Sequence, residues 1–194
     1  MPTILIEKQT PQVTVLTLNR PERRNALTIE LLSELNAAIK IASDQPDERV
    51  IVLRGAGAAF CTGLDLKEAA DQTKAHATAE MVANTLIAIS QARLTTIAAV
   101  HGAAVAGGAG IMSACDFVVA AQRTKIGYPE VRRGLVAGLV MTFLRWQVME
   151  ELWSSSVKDD VELALKYHMR ARESEEAREG IAAFNEKRKP KWIA

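Results

Sequence analysis

Val100–Phe117 reads VHGAAVAGGAGIMSACDF, with glycines at 102, 107, 108 and 110. An apolar strand, TTIAAV, runs into it, and a short apolar strand, DFVVAA, follows it. So many absent side chains suit a backbone that passes close to another backbone or to a ligand. A glycine that opens a helix also offers free amides at the helix start. Close strand–helix packing accounts for the same glycines, and their number alone leaves both readings open.

Outward from this stretch, strand and helix patterns alternate. TILIEK and VTVLTLN read as a hairpin turning at Gln9–Gln12. Thr28 is placed to cap a helix, IELLSELNAAIKIAS, with apolar positions at Ile29, Leu32, Leu35, Ile39 and Ala42. RVIVLRG reads as a buried strand, AGAAFCTGLDL as a glycine-punctuated loop, and about Ala77 to Gln91 as a helix. After Tyr128 the pattern turns helical, through GLVAGLVMTFLRW, DDVELALKYHMRARES and EEAREGIAAFNEKRK. Strands separated by helices predict an α/β protein with crossover connections.

Composition narrows the function classes. At 194 residues and 48% hydrophobic, the chain can bury one substantial core. Lys plus Arg number 24 against 23 Asp plus Glu, so no global field draws nucleic acid or a membrane surface. No apolar run has transmembrane length, and MPTILIEKQT lacks the regions of a signal peptide, so a cytoplasmic location is expected. Cys61 and Cys115 have no metal-ligand spacing and read as reduced, partly buried small residues. The histidines at 76, 101 and 168 are scattered, and no nucleophile-elbow or zinc-helix motif occurs, so no metal site is expected.

Six segments in order resemble the crotonase family, also called the enoyl-CoA hydratase/isomerase superfamily: LNRPERRNALT, GAGAAFCTGLDLKE, IAAVHGAAVAGGAG, ACDFVVAA, IGYPEVRRGL and EGIAAFNEKRKPKW. They cover most of the chain from Leu18 to Trp192. The resemblance implies a crotonase-like (ClpP/crotonase) fold of repeated ββα units with C-terminal helices. On this pattern residues 1–148 form the core, and 149–194 a helical segment packing on its own or a neighbouring subunit. It also implies an acyl-CoA thioester substrate, no separate cofactor, and a homo-oligomer, a trimer or hexamer.

By the same resemblance, the N–H groups of Leu64 and Gly107 hold the thioester oxygen while enolate charge develops there, and Glu130 moves a proton. Arg23, Arg24 and Lys67 approach the coenzyme phosphates, while Phe184 and Lys187 reach the adenine and phosphates. Taken singly, Glu130 is more often a surface charge or helix-start residue and each cation more often a solvated surface charge, while Phe184 reads equally as core packing.

Two departures stand out. Family hydratases carry a second glutamate three residues after the Gly107 position, where this chain has Gly110. A single acid suits a double-bond isomerase more simply than a hydratase. Several dozen residues of the family pattern are also missing, with the seam near Val148 to Glu151. Two functions are therefore carried forward: an enoyl-CoA hydratase/isomerase of fatty-acid-type metabolism, and a non-catalytic or impaired acyl-CoA-binding homologue.

Overall fold

The computed structural model describes residues 1–130, 137–142 and 157–192. The junction at 148–151 and most of the helix expected over 134–146 lie outside the described residues. β1 (Ile4–Thr10) and β2 (Val13–Leu18) form the expected hairpin, antiparallel with Ile4 opposite Leu18. β3 (Val50–Gly55), β4 (Thr95–Val100) and β6 (Phe117–Ala120) extend it in parallel, giving the order β1-β2-β3-β4-β6. The parallel strands need crossovers. These are supplied by α1 (Ile29–Ser43), α3 (Ala75–Ser90) and α4 (Gly107–Ser113).

A second sheet pairs β5 (Ala103–Val105) with β7 (Lys125–Gly127), also in parallel. The sequence pattern did not anticipate it, because three residues hold too little alternation to stand out. The short helix α2 (Leu66–Ala69) and a 3-10 turn at Pro21–Arg23 likewise interrupt stretches that read as loop.

α1 starts as expected: Thr28 is extended and its hydroxyl accepts from the Leu31 amide at 3.2 Å. Its buried face is Leu31, Leu32, Leu35, Ala38, Ile39 and Ala42, so Leu31 rather than Ile29 leads it inward. That face meets α3 and the strand residues Leu16, Ile51 and Leu53 in one core. Asp116 ties β6 to β4, since its Oδ2 accepts from both the amide and the hydroxyl of Thr96, at 2.7 and 2.9 Å. Beyond the core, α5 (Val157–Arg172) packs on α3, and α6 (Glu175–Asn185) packs on α2. Among the described residues no helix is long and apolar enough to cross a membrane.

Glu34 on α1 anchors the start of β1: its Oε2 accepts from Thr3 N, Thr3 Oγ1 and Ile4 N, all within 3.0 Å. The Thr3 hydroxyl contributes most to lowering the Glu34 pKa, and burial opposes it more weakly. A lowered folded-state pKa gives stability that is present above the unfolded value and lost as pH falls through the folded one. Glu34→Gln is therefore expected to cost about 1.5 kcal/mol at neutral pH, the scale of a hydrogen bond to a charged group. It should also flatten the acid limb of stability below pH ~4.3, the ordinary glutamate value. Urea unfolding at pH 7 and pH 3.5 checks both; an equal loss at the two pH values would refute the linkage.

Candidate active site

The site is assembled from a hub residue outward. Asn25 is fully buried, with a left-handed backbone (φ 54°). Its Oδ1 accepts from the Arg20 amide at 2.9 Å, and its Nδ2 reaches the carbonyls of Ala56, Ala59 and Phe60 within 3.2 Å. One side chain thus holds the 56–60 loop in place.

The chain then passes between two neighbours. Cys61 exchanges backbone bonds with Ala103 and Val105 of β5, and Leu27 accepts from Asp65 N and donates to Gly63 O, both at 2.8 Å. In a parallel bridge of this kind Leu27 uses both of its groups on the residues flanking Leu64, so the Leu64 amide faces the opposite side. Asp65 locks the turn from below. Its carboxylate caps α2 at Lys67 N and pairs with Arg20 at 3.0 Å and Arg23 at 3.4 Å. Burial pushes its pKa up, but Arg20, the Lys67 amide and Arg23 together outweigh this and hold it below the usual carboxylate value.

Gly107 approaches from the other side. The preceding Ala106 sits at φ 51°, ψ −127°, strained for a residue with a side chain. Its amide donates to Gly127 O at 2.9 Å, and the first backbone bond within α4 is Gly110 N to Ala106 O. The Gly107 amide, at the first position of the helix, therefore has no acceptor inside α4. A Cβ built on Gly63 would lie 3.2 Å from Gly107 N and 2.8 Å from Ala106 Cβ. The residue preceding Leu64 and the start of α4 are thus in direct contact.

One cavity of about 820 Å³ opens beside this contact, and Leu64, Gly107 and Glu130 all line it. Glu130 is half-buried, with its Oε2 shielded from solvent. Arg23, Arg24 and Lys67 line the same cavity, as do Phe184 and Lys187 at the end of α6. Every site residue expected from the sequence is thereby brought together. Phe184 is 50% exposed, which answers the open choice: it lines the cavity and is not a core residue.

Apolar groups form part of the lining, with Ala79 and Val82 from α3 and Ala137, Leu139 and Val140 from the segment after Glu130, beside the polar Glu22, Thr62, Asp65 and Asn185. Gly110 adds nothing to it. A Cβ there would meet Val140 Cγ1 at 2.4 Å, so Val140 fills the space into which a side chain at 110 would grow. Cys61 lies beside the site, but burial pushes its thiol up to about 12, which removes it as a thiolate nucleophile. Among the described residues no cluster of histidines, cysteines and carboxylates could hold a metal ion.

Among the lining residues that carry no signal in the sequence reading are Glu22, Asp65, Asn185, Arg188 and, farthest along the chain from any motif, His168 of α5. Its position in the cavity depends on how α5 packs on α3, and no local motif marks it.

The family model described as enoyl-CoA hydratase/isomerase matches residues 8–149. Over 138 residues the chain is 40% identical to a Mycobacterium bovis protein named "Probable enoyl-CoA hydratase echA8", covering 71% of this chain and 53% of that one. It is 38% identical over 135 residues to the mevalonyl-coenzyme A hydratase sidH of Aspergillus fumigatus, covering 69% and 50%. A solved enoyl-CoA hydratase from Mycobacterium avium superposes with a TM-score of 0.79 at 28% identity, over 99% of each chain. The chain spans about half the length of the curated relatives it matches.

Proposed function

The chain belongs to the enoyl-CoA hydratase/isomerase family, and from that premise we propose that it binds an enoyl-CoA thioester and relocates the double bond beside the carbonyl. The contact between Gly63 and Gly107, on a cavity that Glu130 also lines, carries this reading. It supports a pair of amides, Leu64 N–H and Gly107 N–H, donating to one thioester oxygen.

Charge moves onto that oxygen when a proton leaves C2. Fixed donors in a site shielded from water stabilise such charge by about 3–4 kcal/mol each. In a 3-enoyl thioester the Glu130 carboxylate takes the C2 proton, and the electron pair delocalises onto the oxygen and C4. Protonated Glu130 then returns the proton at C4, leaving the double bond between C2 and C3. Nothing is gained or lost, and one acid suffices.

Hydration of a 2-enoyl thioester is the second activity of the proposal. It needs a water held by more than one polar group, and Val140 occupies the room beside Gly110 where another acid would stand. Isomerisation is accordingly the better-supported of the two. Arg23, Arg24, Lys67 and Lys187 supply the cations for the coenzyme phosphates, with Phe184 as a flat partner for the adenine. The apolar side chains of Phe117 and Val119 on β6 and Ile126 on β7 are exposed, which supports a homo-oligomer, proposed as a trimer or hexamer by the family resemblance.

The Gly110–Val140 contact also favours the non-catalytic alternative, in which the chain binds acyl-CoA without turnover. Calorimetry with the unreactive butyryl-CoA, beside separate assays of 3-enoyl isomerisation and crotonyl-CoA hydration, separates these. Binding with isomerisation is expected. Binding without either turnover would select the alternative, and no binding would overturn both.

A further inference from the structure

α4 is only seven residues long, so its direction is set by what holds its two ends. Before its first residue, Ala106 N donates to Gly127 O at 2.9 Å, next to the pairing of Val105 with Gly127 between β5 and β7. At its last residue, Ser113 is 4% exposed, and its hydroxyl lies 3.1 Å from that of Tyr128. Either oxygen can donate. Gly127 and Tyr128 are consecutive, so one short stretch of chain grips the helix at both ends.

The same stretch runs straight into Pro129 and Glu130. The pyrrolidine ring fixes φ at position 129 and disfavours helical backbone at Tyr128, which leaves little freedom between the tyrosine and the carboxylate. Pro129 and Glu130 are among the residues that line the cavity, and Tyr128 and Ser113 are not. The phenol hydroxyl thus engages α4, while the two residues after it face the site.

This arrangement bears on a reaction run on one thioester. The proposed oxyanion donor, Gly107 N–H, belongs to α4, and the proposed proton carrier, Glu130, belongs to the segment after β7. For a proton to leave C2 while charge gathers on the oxygen, these two groups must keep a fixed separation. Misplacement by about 1 Å can cost on the order of 10²-fold in rate.

We propose that Tyr128 is a positioning residue for Glu130, using its hydroxyl bond to Ser113 to hold the carboxylate in register with the Gly107 amide. This role rests on the isomerase reading above.

The test measures kcat and KM for 3-hexenoyl-CoA in Tyr128→Phe, Ser113→Ala and the double variant. Each single change removes one hydroxyl of the pair. Each should lower kcat by about 10-fold and leave KM within about 2-fold, the pattern of a misplaced reacting group. The double variant should lose no more than the larger single loss, since the same bond is broken in all three. In a Glu130→Gln background, Tyr128→Phe should cost nothing further, because no carboxylate remains to be placed. A merely structural bond would give an equal loss in that background, or a rise in KM, and either result would overturn the inference. So would additive losses, or a Tyr128→Phe variant that matches the wild type. Thermal unfolding checks each variant; where Tyr128→Phe does not fold, Ser113→Ala carries the same comparison.

If the wild type isomerises no enoyl-CoA, the proposed function fails on its own. Crystal structures of the wild type and of Tyr128→Phe then decide the role of the tyrosine. The separation of the Glu130 carboxylate from Gly107 N should change by about 1 Å or more. An unchanged separation would count against it.

Discussion

Replacing Glu130 by Gln is expected to lower kcat for 3-enoyl isomerisation by about 10²–10⁴, the range a positioned proton-transfer group supplies. The amide matches the carboxylate in size and keeps its place in the cavity lining, but it cannot take a proton from C2. KM should change little, because the cations expected to hold the coenzyme lie on other elements. A fall in kcat at constant KM marks an interaction made in the transition state. Stopped-assay kinetics on 3-hexenoyl-CoA, with thermal unfolding as a control for folding, measures it. Unchanged turnover would remove Glu130 from the chemistry.

The second large effect is steric. A methyl group added at Gly108 would lie 2.3 Å from the Cys61 carbonyl oxygen and 2.8 Å from the Cys61 carbonyl carbon and Cβ. None of these atoms is the far end of a flexible chain, and Cys61 is bonded through both backbone groups to β5. Relief therefore requires α4 and the 61–64 segment to separate, and those are the two segments that carry the proposed donors. Gly108→Ala should lower stability by about 3 kcal/mol, the upper part of the overpacking range. It should also reduce kcat/KM by at least ~10², as loss of one oxyanion donor does. Gly127→Ala is the matched control, because nothing lies within 4 Å of a Cβ there. Denaturant unfolding and kinetics on the two variants decide the matter; equal behaviour would contradict the tight packing.

How far the sequence foretold the structure differs between parts of the molecule, for physical reasons. Thr28, followed by apolar residues at helical spacing, marked α1 because caps and periodicity act within a few residues. The glycine-rich stretch at 102–110 reads as a ligand site or as tight packing, and the structure shows tight packing, with Gly102 and 106–108 against 58–63 and Gly110 against Val140. In this fold the two readings are one fact, since backbones in contact are also backbones whose amides can converge. Asn25 carries no local mark of its role, since its four backbone partners come from Arg20 and the 56–60 segment. Nothing short of tertiary structure shows such a hub.

His168 was missed for the same reason. A signal did exist: His168 and Arg172 continue the apolar stripe begun by Val161 and Leu165, so the inward face of α5 turns polar where it meets α2 and the cavity. Short elements were the other loss. β5 and β7 are three residues each, yet β5 orients Cys61 and β7 holds Ala106 through Gly127. Their pairing is set by the loops around them and not by any pattern of their own.

The strain at Ala106 belongs to the same design. A residue with a side chain held at φ 51°, ψ −127° persists only where its surroundings over-determine it. Here the Gly127 carbonyl, the 61–63 segment and the first turn of α4 do so. The flip turns the chain into α4 immediately before Gly107, and so fixes where that amide points.

The most direct test of paired amides gripping one oxygen is a crystal structure with bound butyryl-CoA. The thioester oxygen should lie about 3 Å from both Leu64 N and Gly107 N, with the Glu130 carboxylate facing C2. An oxygen bonded to neither nitrogen, or a thioester seated away from the contact between Gly63 and α4, would contradict the account.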